Sequence, residues 1–429
     1  MSDTQTRDSD EDVKSFRLRA REWLQANLER RPPIRGGKGN LRGVEHTTVE
    51  SVGPEREKQR RLFEAGFAGI TYPPEYGGRG LSPDHERAFN EEAAPYLMPE
   101  LGVAGGTTFN VCAKTMLAHA SANFLERHIP RILAGEELWV QFFSEPEAGS
   151  DLAGVRTRAS RDGDRWILSG AKIWSSGAYY ADYGMCLART NWDVPKHRGL
   201  TWFAVPTTAP GVTIEPIREI NGDAEFCQEF FDEVELTDDD VIGEVDHGWR
   251  VAQTMLVFER GGGDDTAYIA DVAGDEIAPD LVALARRAGR EKDPEIRQLI
   301  AQAHIYDYAG AQLAERIRIR SRSATGIEAG IAAYGKLASG VFGPIRGQIG
   351  LRVAGPDGHL WESGDIEGMT AAIGYLNGRQ FAIAGGTNEM QRNGIGERVL
   401  GLPREPSFDS TRPFNEVIRA ARSWDGKVT

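Results

Sequence analysis

Three groups of residues in this chain have types and spacings suited to chemistry. The first is Ser144-Glu145-Pro146-Glu147-Ala148-Gly149-Ser150-Asp151. Pro146 stops the apolar run Trp139–Phe143 before it, because proline cannot donate to a sheet ladder. Ala148, Gly149 and Ser150 carry almost no side-chain bulk, so their N–H groups can approach a diphosphate directly. The second is Gly170-Ala171-Lys172-Ile173-Trp174-Ser175-Ser176-Gly177-Ala178, where Trp174 stands two residues before Ser176. In a strand that spacing puts indole and hydroxyl on one face, beside a planar ring that the hydroxyl could bond. The third is Leu256-Val257-Phe258-Glu259-Arg260. On a helix Glu259 shares a face with Ala252, Met255 and Leu256 behind it and Gly262 and Gly263 ahead. Desolvation among such residues raises a carboxylate from its reference pKa of about 4.3 toward a value useful to a base. Taken singly, these are a turn serine, a β-bend glycine, a core tryptophan and a solvated helical glutamate. Only as a set do they carry a functional reading.

The elements that must hold them follow from periodicity. Residues 10–135 read as largely helical, with Val13, Phe16, Ala20, Leu24 and Leu28 at three-to-four spacing, Trp23 beside them, and Ser9 with Asp12 as a capping box. The stretch 30–55 reads as a loop, and helical patterns resume from about Pro54 and again from Asp84 to about Leu133. From Trp139 to about Ile242 the period moves toward two, with strands at Trp166–Leu168, Thr201–Val205 and Val212–Ile214 bounded by turn residues. After Gly248 the chain reads as helical to about Leu400, as in a bundle.

At 429 residues the chain is too long for one ordinary core and suggests two or three domains. Hydrophobic residues at 40% and charged residues at 27% are those of a soluble globular protein. No apolar run approaches the ~20 residues that span a bilayer. An acidic N-terminus (Asp3, Asp8, Asp10, Glu11, Asp12) is opposite in character to a secretory or transit peptide. Three scattered cysteines, Cys112, Cys186 and Cys227, argue against a disulfide scaffold or a metal site and point to a reducing cytoplasm. A net charge of −14 argues against nonspecific nucleic-acid binding. Neither a P-loop nor a strand-anchored G-x-G-x-x-G is present.

In this order and spacing, the two loop phrases resemble the flavin-binding middle domain of the acyl-CoA dehydrogenases. Upstream, Gly69-Ile70-Thr71-Tyr72-Pro73-Pro74-Glu75-Tyr76-Gly77-Gly78-Arg79-Gly80 resembles the family's N-terminal turn. Downstream, Gly385-Gly386-Thr387-Asn388-Glu389-Met390-Gln391-Arg392 and Glu397-Arg398-Val399-Leu400-Gly401-Leu402-Pro403 resemble its C-terminal signature. The resemblance implies an α+β multidomain fold: an N-terminal helical domain over 1–137, a middle β-barrel-like domain over 138–245 and a C-terminal four-helix bundle over 246–429. It also implies FAD and the oxidation of an acyl-CoA thioester to a 2-enoyl-CoA. The base takes an α proton, the flavin the β hydride, and donors hold charge on the carbonyl oxygen.

By the same resemblance Phe143 and Ser144 would line the flavin ring, Trp174 would flank it and Ser176 would bond near N5. Gly149 and Ser150 would meet the diphosphate, with Ser150 also near substrate. Thr387 and Glu389 fall with the cofactor, and Arg260, Gly385 and Gly386 with the substrate. In much of the family the base is a glutamate just before the Gly-Thr of the C-terminal signature. That position is Gly385 here, which removes no proton. A second family pattern places the glutamate before an arginine on the first long C-terminal helix, which is Glu259 beside Arg260. The N–H of Gly385 would still donate to the thioester oxygen. The run Gly261-Gly262-Gly263 reads as a helix break, as room for a bulky or ring-bearing acyl group, or as a tight helix crossing.

The chain departs from the family where other members reach a neighbour's FAD. Arg286-Arg287-Ala288-Gly289-Arg290-Glu291 lacks the usual phenylalanine, and Arg352-Val353-Ala354-Gly355-Pro356 is altered. The expected assembly is therefore either a homotetramer or a mixed tetramer completed by a sister chain, with an electron-transfer flavoprotein as acceptor. A catalytically silent partner subunit and a flavin oxidase or monooxygenase on the same fold are the competing readings; the base at Glu259 favours the dehydrogenase over the monooxygenase.

Overall fold

A computed structural model describes residues 11–31, 47–261, 277–322, 331–360, 366–407 and 409–422. Helix α1 (Val13–Asn27) starts at Asp12, whose carboxylate accepts from the Lys14 and Ser15 N–H groups at 2.9 and 3.1 Å. Asp12 alone makes this cap, and the Ser9 half of the expected box lies outside the described residues. Phe16, Ala20 and Leu24 are fully buried, as their spacing requires. Helix α2 (Val49–Glu64) begins earlier than Pro54, inside the stretch read as a loop. A capping box between Thr48 and Ser51 fixes that start, and Pro54 is carried within the helix at the loss of one backbone donor. Helices α3 (Pro83–Ala93), α4 (Gly102–Thr107), α5 (Ala113–His119) and α6 (Ala122–Leu133) follow, with a π-helical turn, Thr108–Cys112, between α4 and α5.

The middle segment is one sheet. Its strands are β1 (Trp139–Phe142), β2 (Arg158–Asp162), β3 (Arg165–Ser176), β4 (Tyr183–Arg189), β5 (Leu200–Pro206), β6 (Val212–Pro216), β7 (Phe226–Leu236) and β8 (Val241–Ile242). They pair in the order β6-β7-β3-β2-β4-β5-β8, with β1 parallel to β4 off that path. The barrel-like closure expected from resemblance gives way to an open, branched ladder among the described residues. The branch lies on β4, which pairs along Tyr183–Cys186 with β1 and only at Arg189 with β2. Alternation then feeds two cores. Trp139, Met185, Leu187 and Trp202 pack toward the N-terminal helices, while Val140, Phe142, Cys186 and Phe203 pack on the opposite side.

The C-terminal part is helical: α7 (Gly248–Gly261), α8 (Pro279–Arg287), α9 (Pro294–Arg322), α10 (Ile331–Ala354), α11 (Ile366–Asn377), α12 (Asn388–Arg398) and α13 (Phe414–Arg422). These gather around α10, which packs against α8, α9, α11 and α12; the finer expectation of a four-helix bundle is not established by these contacts. Helix α7 touches α10 but is anchored mainly outside this group. Val251, Ala252 and Met255 sink into the core shared by the N-terminal helices and the sheet. Beyond α12 the chain returns to the sheet, where Arg189 stacks 3.9 Å over the Phe414 ring. Among the described residues no helix is long and apolar enough to cross a membrane.

Candidate active site

The loop after β1 is held from beneath by a buried ion pair. Lys172 of β3 is fully buried, and its Nζ donates to Glu145 Oε1 at 2.9 Å and to the Phe143 carbonyl at 3.0 Å. The Glu145 carboxylate also accepts from the N–H groups of Arg156 (2.6 Å) and Thr157 (2.9 Å). Burial pushes Glu145 upward, but the Lys172 charge and these donors outweigh it and hold the carboxyl below its ordinary value. Glu145 and Ala148 exchange backbone hydrogen bonds at 3.0 Å, which closes the turn and leaves Gly149 and Ser150 exposed. The Ser144 carbonyl takes the Ile173 N–H at 3.0 Å, so the two loop phrases meet. Phe143 and Ser144 are half-buried there, with the Phe143 ring 5.0 Å from Trp202.

Trp174 departs from the extended strand expected of it. Its φ is 70°, and β3 slips one residue against β7 between Ile173 and Ser175. This bulge leaves Trp174 56% exposed, edge-on to Phe226. Ser175 points inward between Trp174 and Ser176, so the last two still share the outer side. The inward serine donates to Glu229 Oε2 at 3.0 Å. Glu229 is fully buried opposite Lys172 in the β3–β7 register, and burial pushes its carboxyl up to about 8. Its Oε1 has no hydrogen-bond partner. One further orphan is the buried Nε2 of Gln141 on β1.

The other half of the site forms where α7 meets the turn before α12. Glu259 is half-buried, while Ala252 and Met255 behind it are fully buried. A β-carbon added at Gly385 would lie 3.5 Å from Glu259 Oε1 and 3.2 Å from Lys336 Cε. Gly385 and Gly386 have φ values of 64° and 92°, a conformation that favours glycine. Buried Gln391 holds both from one amide, its Nε2 donating to the two carbonyls at 3.2 and 3.1 Å. Cys112, at the end of the π-helical turn, is buried within electrostatic reach of Glu259. Its thiol is pushed up first by burial and then by that carboxylate. Thr387 caps α12 by accepting from the Met390 N–H at 3.2 Å, and Glu389 is exposed in its first turn. Arg260 lies in α7 with its side chain outside the described residues, as do Gly262 and Gly263 entirely.

Glu145, Lys172, Glu229, Gln141, Lys336 and Gln391 escaped the sequence reading. Register or helix crossing, not local spacing, makes them neighbours, so periodicity carries no signal for them. The two altered clamp segments also meet. Arg290 Nη1 donates to the Arg352 carbonyl at 2.7 Å, and Arg352 in turn pairs with Glu295.

The acyl-CoA dehydrogenase N-terminal domain family matches residues 10–136, and the middle domain family matches residues 141–234. The acyl-CoA dehydrogenase IpdE1 of Mycobacterium tuberculosis is 37% identical over 399 residues, which is 92% of this chain and 99% of the relative. The chain belongs to the acyl-CoA dehydrogenase family. Acyl-CoA dehydrogenases are FAD-dependent oxidoreductases, so FAD is the cofactor. The acyl-CoA dehydrogenase FadE34 of the same organism is 37% identical over 358 residues, covering 82% of this chain and 47% of its own length. Among solved structures, the Tcur3481-Tcur3483 steroid ACAD matches with a TM-score of 0.71 at 26% identity, over 92% of this chain and 98% of that one. The ChsE4-ChsE5 complex of Mycobacterium tuberculosis matches with a TM-score of 0.67 at 25% identity, over 94% and 100%.

Proposed function

We propose that the protein oxidises an acyl-CoA thioester to a 2-enoyl-CoA, with Glu259 as the base. The observation that carries this reading is Glu259 Oε1, 3.5 Å from the β-position of Gly385. The glycine leaves a gap where many relatives place their base, and the α7 carboxylate stands at its edge. Glu259 removes the α proton of the thioester onto a carboxylate oxygen. The N–H groups of Gly385 and Gly386, held by Gln391, offer donors to the thioester oxygen as charge builds on it.

FAD, when bound, supplies the hydride acceptor that no side chain provides. The residues present suit it on two counts. A β-carbon at Gly149 would meet open space, so the exposed Gly149–Ser150 backbone is accessible to a diphosphate. The unpartnered Gln141 amide continues the same face as Phe143 and is a donor of the kind a ring carbonyl accepts. Phe143, Ser144, Trp174 and Ser176 would hold the ring, and Thr387 and Glu389 would lie toward it from the C-terminal side. Ser150 and Arg260 complete the substrate contacts in this reading.

The substrate class we propose is a bulky, ring-bearing acyl-CoA, because the Tcur3481-Tcur3483 protein is a steroid ACAD. The assembly we propose is a mixed tetramer in which this chain is the catalytic member. Arg290 donates to the Arg352 carbonyl and Arg352 pairs with Glu295, contacts within the chain. Ile305, Tyr308 and Ile319 are exposed large apolar side chains on α9. An electron-transfer flavoprotein is the proposed acceptor of the two electrons. The domain limits 1–137, 138–245 and 246–429 and a cytoplasmic location belong to the same proposal. The deciding experiment is anaerobic titration of the yellow protein with steroid-type and straight-chain acyl-CoAs. Bleaching by the former supports the reading, and an unchanged flavin spectrum with every acyl-CoA overturns it.

A further inference from the structure

We infer that Lys336 is a positioning residue that keeps Glu259 ionised in the working enzyme. The inference rests on the reading of Glu259 as the base. Lys336 lies on α10, is buried, and runs its side chain beneath the turn that carries Gly385. Its Cε and Glu259 Oε1 approach the same point, the β-position of Gly385, at 3.2 and 3.5 Å. The ammonium donates to the Phe381 carbonyl, which fixes the end of the side chain beside this turn. A buried lysine is costly to hold charged unless it has acceptors and a counter-charge. The Phe381 carbonyl provides an acceptor, and the nearby carboxylate provides the charge.

The effect on Glu259 has a definite sign. An opposite charge within a few ångströms favours the ionised carboxylate and lowers its pKa. Burial against Ala252 and Met255 acts the other way. The other titratable groups facing this end of α7 contribute little positive charge. Cys112, from the π-helical turn, is a buried thiol pushed upward and so neutral. His119, from α5, bonds Thr254 Oγ1 at 2.8 Å, and burial pushes its pKa down, so it is neutral near pH 7. Among the described side chains, Lys336 is therefore the cation we assign to offset desolvation; Arg260, next to Glu259 in the chain, has its side chain outside them. The Lys336 ammonium donates to the Phe381 carbonyl.

The second consequence concerns Gly385. A side chain there would press on Lys336 Cε at 3.2 Å and come into ordinary contact with Glu259 Oε1 at 3.5 Å. Moving the base onto α7 and leaving glycine in the C-terminal signature thus go together with a lysine filling the space beneath. In this arrangement Lys336, Gly385 and Glu259 form one unit.

The test measures anaerobic flavin reduction against pH in the assembled enzyme for the wild type, Lys336→Met, Lys336→Gln and Lys336→Arg. Removing the charge should move the acid limb of the rate profile upward by about 1 pH unit or more. The arginine variant should leave it near the wild-type position. In parallel, isotope-edited infrared titration of Glu-labelled protein, with Glu259→Gln subtracted, reads the carboxyl directly and needs no turnover. Its midpoint should rise in Lys336→Met and Lys336→Gln alike. The two neutral variants differ in polarity, so at least one should keep the fold. An acid limb and an infrared midpoint that stay within about 0.3 unit of wild type while the melting temperature falls would overturn the inference and make Lys336 a packing residue. If the wild type itself never reduces flavin with any acyl-CoA, the reading of Glu259 fails instead; an infrared shift in Lys336→Met would still register the coupling.

Discussion

Glu259 Oε1 lies 3.5 Å from the position that a Gly385 β-carbon would take, although the two residues stand 126 positions apart along the chain. The carboxylate comes from a helix anchored in the N-terminal core, and the glycine from a turn at the head of α12. Their approach makes the following outcomes testable.

Glu259→Gln should abolish flavin reduction by acyl-CoA, lowering the rate by about two to four orders of magnitude. The amide keeps shape but cannot take a proton, so flavin content and CoA affinity should stay near wild type. Stopped-flow absorbance at the flavin band checks this, and near-normal reduction would place the base elsewhere.

Gly385→Ala should behave differently. Its φ of 64° strains any other residue, and the added carbon meets Lys336 at 3.2 Å. The strain should cost on the order of 1–3 kcal/mol of stability, read as a lower melting temperature, while the rate falls only in part and the acid limb of the pH profile is retained. A loss as complete as that of Glu259→Gln would contradict this.

Lys172→Met should destabilise the protein by about 3–5 kcal/mol, because Glu145 is then left buried without its cation. The Ser144–Asp151 loop should loosen and release FAD. The double variant Lys172→Met, Glu145→Gln should recover part of both losses. Melting temperature and flavin-to-protein ratio measure them, and an additive double variant would show the pair to be unlinked.

Glu229 links stability to pH. Its carboxyl is pushed up to about 8 in the folded protein, against an ordinary value of 4.5. The fold therefore binds a proton that the unfolded chain has lost across that window. The contribution is full below the ordinary value and disappears as pH rises toward 8. Glu229→Gln should flatten this slope in melting curves taken from pH 5 to pH 8. An unchanged slope would mean that Glu229 is already ionised in the fold.

Expressed alone, the protein should hold less than one FAD per chain, and co-expression with a sister chain should restore full occupancy in a mixed tetramer. Light-scattering mass and flavin quantification decide this. A stable homotetramer with one FAD per chain would remove the mixed assembly.

Much of the molecule was legible beforehand. The three-to-four spacing of Phe16, Ala20 and Leu24 gave α1 its buried face, and the change of period after Trp139 marked the sheet. Both readings work because burial repeats at the period of the local backbone. The start of α2 was misread because Pro54 stands out in a sequence, while a Thr48–Ser51 capping box before a proline does not. Trp174 was read as an ordinary strand residue. The left-handed bulge beneath it is imposed by the pairing of β3 with β7, which no local pattern announces.

The sequence by itself determined the family, the loop chemistry around Ser144–Asp151 and the candidacy of Glu259, since these are properties of neighbouring residues and their order. Only the tertiary structure decided that Glu259 shares its space with Gly385 and Lys336, that Lys172 pairs with Glu145 and stands opposite Glu229 in register, and that Arg290 bonds Arg352. Each of these contacts joins segments far apart in the chain. Helix crossing and strand register set such distances, and both depend on packing across whole cores rather than on the residues in contact.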